Sequence, residues 1–158
     1  MRDHGETAFV LRRGATGFFR PEDGPLPETD LRLFRTGLYD AARLAAGRVG
    51  EFEEQAYPRT FHTASILSRR EESIVLCHVH HPRVVFVEER GPWHDTDFIE
   101  PPGWARAFSW AGFEVLDRQL LSTPLEEMDT SGLSRVERSA CRFPGTTTLG
   151  GLLFNAWD

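Results

Sequence analysis

The sequence predicts an α+β fold in which helices pack on an antiparallel central sheet, a meander over residues 60–88. Residues 73–89 hold two runs rich in β-branched side chains on either side of a short polar turn, which is the pattern of a β-hairpin. Residues 60–67 form a third run with strand character just before it. Over 30–46 the apolar residues instead recur at helical spacing. Strands that follow one another, next to a separate helix, favour the α+β class.

The hairpin is expected to turn at His80–Arg83, with Val79 opposite Val84. Side chains alternate along a strand, so this pairing assigns each residue to one of two faces. Both faces are apolar in the middle, which predicts strands covered on two sides. One face would carry Val75, Cys77, Val79, Val84, Phe86 and Glu88, and the other Ile74, Leu76, His78, Val85 and Val87. For strand 60–67 we expect Leu67 to pair with Ile74, which brings Thr63 beside His78.

Helices are predicted at four places. The first runs from a cap at Thr29 or Asp30 to about Ala46. A short one covers 103–111, and a capping box at 134–137 begins another that ends before Pro144. Residues 146–158 show helical spacing of apolar side chains, although a Gly-Gly pair weakens a helix there.

The other segments are predicted as strands or loops. Residues 7–11 read as an edge strand and 113–116 as a further strand. Glycines and prolines predict a loop over 13–28, in which Phe18 and Phe19 either pack on the domain, which is the default, or form an exposed patch. Residues 51–54 are expected to be a charged connector, and 126–129 an acidic loop.

Bulk composition excludes several classes of protein. The 158 residues carry a net charge of −6, which argues against a nucleic-acid partner because phosphate binding needs a positive face. Apolar runs are too short for a membrane span. The charged N-terminus does not resemble a secretion signal, and two cysteines far apart suggest free thiols. We therefore expect one cytoplasmic domain over residues 1–158.

The hairpin histidines are the first candidates for chemistry. His78 and His80 would point to the same side of a strand, an arrangement that suits two metal ligands. His62, His94, Asp95 and Asp97 could complete such a site if the loop after the hairpin folds back. A half-buried strand histidine beside an exposed turn is the simpler interpretation, so no metal or cofactor is predicted.

Nucleophilic and acid–base sites receive less support. A reactive thiolate needs exposure and a positive neighbourhood, whereas Cys77 lies among apolar residues and is predicted to be buried and inert. Carboxylate pairs such as Asp95 and Asp97 could act as acid and base only in a cleft that raises a pKa. Of the four tryptophans, Trp104 and Trp157 are expected in the core and Trp93 at the surface.

From Val84 onward, the order of features resembles the immunity proteins of bacterial polymorphic toxin systems, small proteins encoded beside secreted toxins. The segments that carry the resemblance are 84–87, 97–104, 113–116, 133–137 and 143–158, the last of which ends in the FNxWD motif of Phe154, Asn155, Trp157 and Asp158. The resemblance implies a non-enzymatic inhibitor that binds one cognate toxin and occludes its active site. It implies no catalytic residues.

Charge favours the same function, because an acidic surface suits capture of a basic protein domain and speeds the association. We expect a cognate toxin domain as the partner, with neither nucleic acid nor membrane. The residues expected to line the binding face are Glu88, Glu89, Trp93, Asp95, Asp97 and Glu100.

Two rival hypotheses remain open. One is a small metal-dependent hydrolase or isomerase that uses His78, His80 and an acid from the 94–97 loop. The other is an α+β module that binds a ligand in an apolar pocket.

Overall fold

A six-stranded sheet runs through the middle of the molecule. The computed structural model describes residues 9–57, 59–69, 71–88, 98–142 and 145–155. In chain order the elements are β1 (Val10–Arg12), α1 (Leu31–Leu44), β2 (Arg48–Glu53), β3 (Phe61–Ser68), β4 (Glu71–His78), β5 (Arg83–Val87), β6 (Phe98–Ile99), α2 (Arg106–Trp110), β7 (Glu114–Val115), α3 (Arg118–Leu121), β8 (Asp129–Gly132), α4 (Arg135–Ala140) and α5 (Leu149–Leu153). Single 3-10 turns lie at Pro21–Asp23, Gly103–Ala105 and Leu125–Glu127.

The sheet is mostly antiparallel, and its strands stand in the order β2-β3-β4-β5-β6. The short strand β7 shares the outer side of β5 with β6 and pairs with β5 in parallel. The meander β3-β4-β5 and the helices packed on the sheet confirm the predicted α+β class.

The hairpin register differs from the prediction by two residues. Cys77 pairs with Val84 and Val75 with Phe86, so the expected pair of Val79 with Val84 is wrong. The backbone of Val79 bonds elsewhere: its N–H donates to the carbonyl of Thr60, and its carbonyl accepts from Thr29. A slip of two residues preserves the alternation of side chains, so the predicted faces survive the error.

The β3–β4 register is shifted in the same way. Leu67 pairs with Glu72 and Thr63 with Leu76, whereas the sequence suggested Leu67 with Ile74 and Thr63 with His78. Both strands continue into the expected connector at 68–72, because Ser68 already pairs with Glu71. The turn is tight enough to place Arg69 at φ +46°, in the left-handed region that non-glycine residues seldom adopt.

Each face of the sheet carries its own apolar core, as predicted for β4 and β5. Helices α1 and α2 cover one face, where the ring of Phe34 stacks on that of Phe108 at 6.1 Å and Phe108 packs edge-on against Phe86 at 6.2 Å. Gly37 of α1 leaves room for the Phe108 ring against the helix backbone, because a Cβ at Gly37 would lie 2.8 Å from that ring. The opposite face is covered by α3, α5 and the loops around them; its members include Ile74, Leu76, Val85, Val87, Leu121, Leu149, Leu152 and Phe154.

The predicted helices form where their caps are found. Asp30 accepts hydrogen bonds from Arg32 and Leu33 at the start of α1, and Ser134 accepts one from Glu137 at the start of α4. Helix α2 follows directly on the 3-10 turn at Gly103–Ala105. In the C-terminal segment α5 covers Leu149–Leu153 despite its glycines, and Trp157 lies outside the described residues.

Three loop predictions are wrong in part. Residues 51–53 belong to strand β2, whose alternation is broken by a bulge between Val49 and Phe52. The predicted acidic loop 126–129 includes the start of β8, which pairs in parallel with β1 in a small separate sheet. Phe19 is 49% exposed rather than packed on the domain.

No helix in the described part of the chain is both long and apolar enough to cross a bilayer.

Candidate functional site

His78 lies at the end of β4 and is fully buried. Its Nε2 lies 3.0 Å from the carbonyl oxygen of Ala15, and its Nδ1 accepts hydrogen bonds from the backbone N–H groups of His80 and His81 at 3.1 and 3.2 Å. A carbonyl accepts and an amide donates, so the ring must be neutral with its proton on Nε2. Both ring nitrogens therefore have protein partners.

His80 and His81 make the same kind of contact with the loop before α1. His81 Nε2 lies 2.9 Å from the carbonyl oxygen of Arg13, and His80 Nδ1 lies 2.8 Å from that of Pro27. Each of these nitrogens must carry the proton, since its partner is an acceptor. Three histidines of one turn thus hold three carbonyls of one loop.

The metal-site hypothesis placed ring nitrogens of His78 and His80 toward a common ion. His78 has no free nitrogen for this, and His62 faces the other way, where its Nδ1 accepts from the N–H of Gln55. Within the described ranges, no group of three His, Cys, Asp or Glu side chains is arranged to hold a metal. His94, Asp95 and Asp97 lie outside those ranges.

A buried carboxylate supports the same loop from its other side. Glu137 of α4 is fully buried, and its oxygens accept from the N–H of Gly14 at 3.1 Å, the N–H of Thr16 at 3.0 Å and the hydroxyl of Thr16 at 2.8 Å. A carboxylate in the interior is tolerated only when hydrogen bonds replace its water. The interaction joins residues more than 120 positions apart.

The buried histidines favour the neutral form. Burial places the pKa of His78 well below its usual value, and the neighbouring His81, His80 and Arg83 lower it further. Burial likewise lowers the pKa of His81 to about 4, with Arg83, His80 and Arg12 acting in the same direction. The bonds to the carbonyls of Ala15 and Arg13 oppose these shifts.

Both cysteines are free thiols in the described structure. Burial raises the pKa of Cys77 far above its usual value, so the thiol stays protonated, as predicted. Burial and then the charge of Glu137 raise the pKa of the half-buried Cys141.

Of the six residues predicted to bind a partner, the structure describes Glu88 and Glu100, and both are exposed. Glu88 follows β5, whereas Glu100 follows β6 and accepts a hydrogen bond at 2.9 Å from the N–H of Arg118 at the start of α3. Glu89, Trp93, Asp95 and Asp97 lie outside the described residues. The binding face around 88–100 therefore stays a prediction.

The tryptophans that can be located differ in exposure. Trp104 is half-buried with its ring at 5.6 Å from that of Phe86, as expected for a core residue. Trp110 is 63% exposed on α2.

A second acidic surface lies at the outer edge of the sheet, where β2 pairs only with β3 among the described strands. Glu51, Glu53 and Glu54 are exposed there, and Tyr57 just beyond them is 89% exposed. Arg59 pairs with Glu53 at 3.3 Å. We call Glu51, Glu53, Glu54 and Tyr57 the acidic edge.

Sequence reasoning missed both the acidic edge and the role of Glu137. The alternation of Val49 and Phe52 with glutamates signals a strand, but the bulge at Gly50 and Glu51 shifts its period. The position of Glu137 in the capping box explained that residue locally, and nothing in the local sequence points to Gly14 and Thr16.

The C-terminal FNxWD motif has structural roles in the part that is described. The ring of Phe154 packs against Phe61, His78 and Phe98 in the core. The side-chain amide of Asn155 donates to the carbonyl of Gly151, and its backbone pairs with Thr60. Trp157 and Asp158 lie outside the described residues.

No protein-family model, curated protein or solved structure matches this chain.

Proposed function

We propose that this chain is a non-enzymatic, immunity-type protein that binds a cognate, basic toxin domain and neutralises it by occluding its active site. The observation that carries the proposal is the acidic edge, where three exposed carboxylates are followed in the chain by a tyrosine that is 89% exposed. Interfaces draw much of their affinity from a few aromatic anchors, and complementary charge speeds the encounter.

The position of these residues suits a protein partner. They lie on and just after the outer strand of the six-stranded sheet, so the fold itself places them at one edge. The net charge of −6 gives the whole molecule a potential that attracts a basic domain.

The hairpin histidines support an inhibitor more than an enzyme. The rings of His78 and His81 are buried against backbone carbonyls of the loop before α1. A general base must instead reach a proton on a bound substrate. These side chains serve the fold.

The first test is direct binding. The full chain is titrated calorimetrically with the toxin domain encoded by the adjacent gene, at low and at high salt. We expect a stoichiometric complex that weakens as salt rises and that blocks the toxin's activity. Absence of a complex, or a complex that leaves the toxin active, would overturn the proposal.

The second test asks which surface binds. Glu51→Gln with Glu54→Gln, and separately Tyr57→Ala, should each weaken binding about tenfold or more, as expected for loss of an interface anchor. The matched control is Glu126→Gln with Glu127→Gln, which removes the same charge beyond α3, the helix that contacts β6 at the other edge of the sheet. Equal losses in both pairs would exclude the acidic edge as the specific contact.

The predicted face is tested in parallel by Glu88→Gln and Glu100→Gln. A loss at these residues with none at the acidic edge would place the toxin on the 88–100 side and leave the proposed function intact.

A further inference from the structure

Residues 13–27 form a loop that closes on itself and is attached to the hairpin turn at both ends. The guanidinium of Arg13 donates to the carbonyls of Gly24 and Pro25 across the loop. Just beyond its far end, the N–H of Thr29 donates to the carbonyl of Val79 and the Thr29 hydroxyl donates to the carbonyl of His78. We call residues 13–27 the strap.

Little apolar surface holds the strap down. Its buried residues are Gly14, Ala15 and Thr16, Phe18 is half-buried, and most of 19–27 is exposed. Segments with few buried apolar contacts open at a lower free energy than the core around them. Polar contacts therefore decide whether the strap is closed.

An added proton would act on these contacts through Nδ1 of His78 and His81, because the ring N–H groups that donate to carbonyls do so in the neutral and the charged ring alike. The carbonyls of Arg13, Ala15 and Pro27 each accept from one histidine of the turn. Nδ1 of His78 accepts from two backbone N–H groups, so a proton there would bring three donors together with no acceptor. Nδ1 of His81 is buried without a hydrogen-bond partner in the described structure, so a charge there would be poorly solvated.

We propose that the strap is a pH-sensitive device, which opens as a unit when His78 and His81 take up protons while the six-stranded sheet stays folded. Positive charges around the closed strap oppose a proton on these rings. His80 and Arg83 of β5 lower the pKa of both His78 and His81, and Arg12 of β1 lowers that of His81. Glu114 is bonded to Arg83, and Glu137 of α4 holds the amides of Gly14 and Thr16 on the other side of the strap.

The strap's opening goes beyond the proposed function, because it concerns the free chain and needs no partner. Hydrogen exchange of the backbone amides, corrected for the intrinsic effect of pH, is followed between pH 7 and pH 4. We expect the amides of Gly14, Thr16, His80 and His81 to lose protection while those of Ala64 and Val75 in the central strands keep it. The equilibrium constant for opening should rise about tenfold per unit decrease in pH for each histidine that is protonated only in the open state.

His81→Gln is the decisive variant, since a glutamine amide can still donate to the carbonyl of Arg13 but cannot become charged. A plot of the logarithm of its opening constant against pH should have a slope that is smaller than that of the wild type by about one proton. His62→Gln is the control: burial lowers the pKa of His62 as well, but His62 bonds Gln55 outside the strap, so the slope should not change.

Loss of protection in the strap and the central strands at the same pH would overturn the proposal, as would an unchanged slope in His81→Gln. If that variant is already open at pH 7, the imidazole nitrogen chemical shifts of the wild type decide. Both rings must be Nε2-protonated at pH 7 and must titrate together with the strap amides.

Discussion

Polar groups are buried at the turn that holds His78, His80 and His81, which we call the histidine turn, whereas they are exposed at the acidic edge. At the turn, His78 and His81 are buried and bond backbone groups of the strap. Along β2, Glu51, Glu53 and Glu54 face solvent, and an ion pair such as Glu53 with Arg59 adds little to stability at such exposure. Buried polar groups specify which segments meet, because an unmatched one is costly. Exposed charges contribute little to which segments meet.

The largest effect should come from Glu137. Replacing it with glutamine puts an amide NH2 among the donors of Gly14 and Thr16 and removes charge-assisted hydrogen bonds, each worth about 1.5–3 kcal/mol. We expect Glu137→Gln to lower the free energy of unfolding by about 3 kcal/mol, measured by urea denaturation. Glu127→Gln, an exposed acid, should change it by less than about 0.5 kcal/mol. A loss below about 1 kcal/mol at Glu137 would show that this buried carboxylate is not a main tie between α4 and the strap.

The pH dependence of stability should follow the histidine turn. The pKa of His81 in the folded chain is about 4, below the ordinary histidine value of about 6.5. Above pH 6.5 both the folded and the unfolded chain hold this ring neutral, and its full contribution is present. As pH falls from 6.5 toward 4, the unfolded chain takes up the proton and the folded chain with a closed strap does not, so the stability of that closed form is lost by up to about 3 kcal/mol. The lowered pKa of His78 extends the loss to lower pH.

Urea denaturation at pH 7 and pH 4.5 measures this loss. His81→Gln should lose less stability between the two pH values than the wild type does. Identical losses would mean that other groups cause the acid sensitivity.

The parts of this fold that depend on local pattern were predictable. Asp30 and the apolar repeat behind it predicted α1, and the alternation of Val84–Val87 assigned the correct faces. The register of the strand pairs was not predictable, because a slip by two residues leaves every side chain on the same face of the sheet. The strand β2 was hidden since a bulge shifts its period, and the partner of Glu137 was hidden because Gly14 lies more than 120 residues away. Local sequence carries periodicity and caps, whereas long-range polar contacts depend on how the elements meet.

The bulge in β2 allows the structure of this edge to be perturbed without removing any of its charges. The N–H of Glu51 donates to the hydroxyl of Ser65 at 3.0 Å, and a Cβ on Gly50 would collide with that hydroxyl. Gly50→Ala should therefore cost about 1–2 kcal/mol in the free energy of unfolding, through the displaced hydroxyl and the lost hydrogen bond. Gly103→Ala, where a Cβ meets nothing within 4 Å, is the matched control.

A double mutant tests the cause. With Ser65→Ala already in place the collision with the hydroxyl disappears and the contacts with Leu67 at 3.2 and 3.3 Å remain, so Gly50→Ala should then cost less than it does alone. Additive costs would place the strain at Leu67 of β3.

The smallest effect should come from the carboxylates of the acidic edge. Glu51→Gln with Glu54→Gln removes two exposed charges from a chain of net charge −6. Relief of self-repulsion and loss of surface interactions should nearly cancel, so the free energy of unfolding should change by less than about 0.5 kcal/mol. Urea denaturation at low and high salt measures this, with Glu126→Gln and Glu127→Gln as the charge-matched pair. A loss above 1 kcal/mol in the edge pair alone would make Glu51 and Glu54 part of what holds β2 on the sheet. In that case, weaker toxin binding by this variant could result from a damaged strand edge. If stability is unchanged, the loss of affinity is instead due to lost contacts between these carboxylates and the toxin.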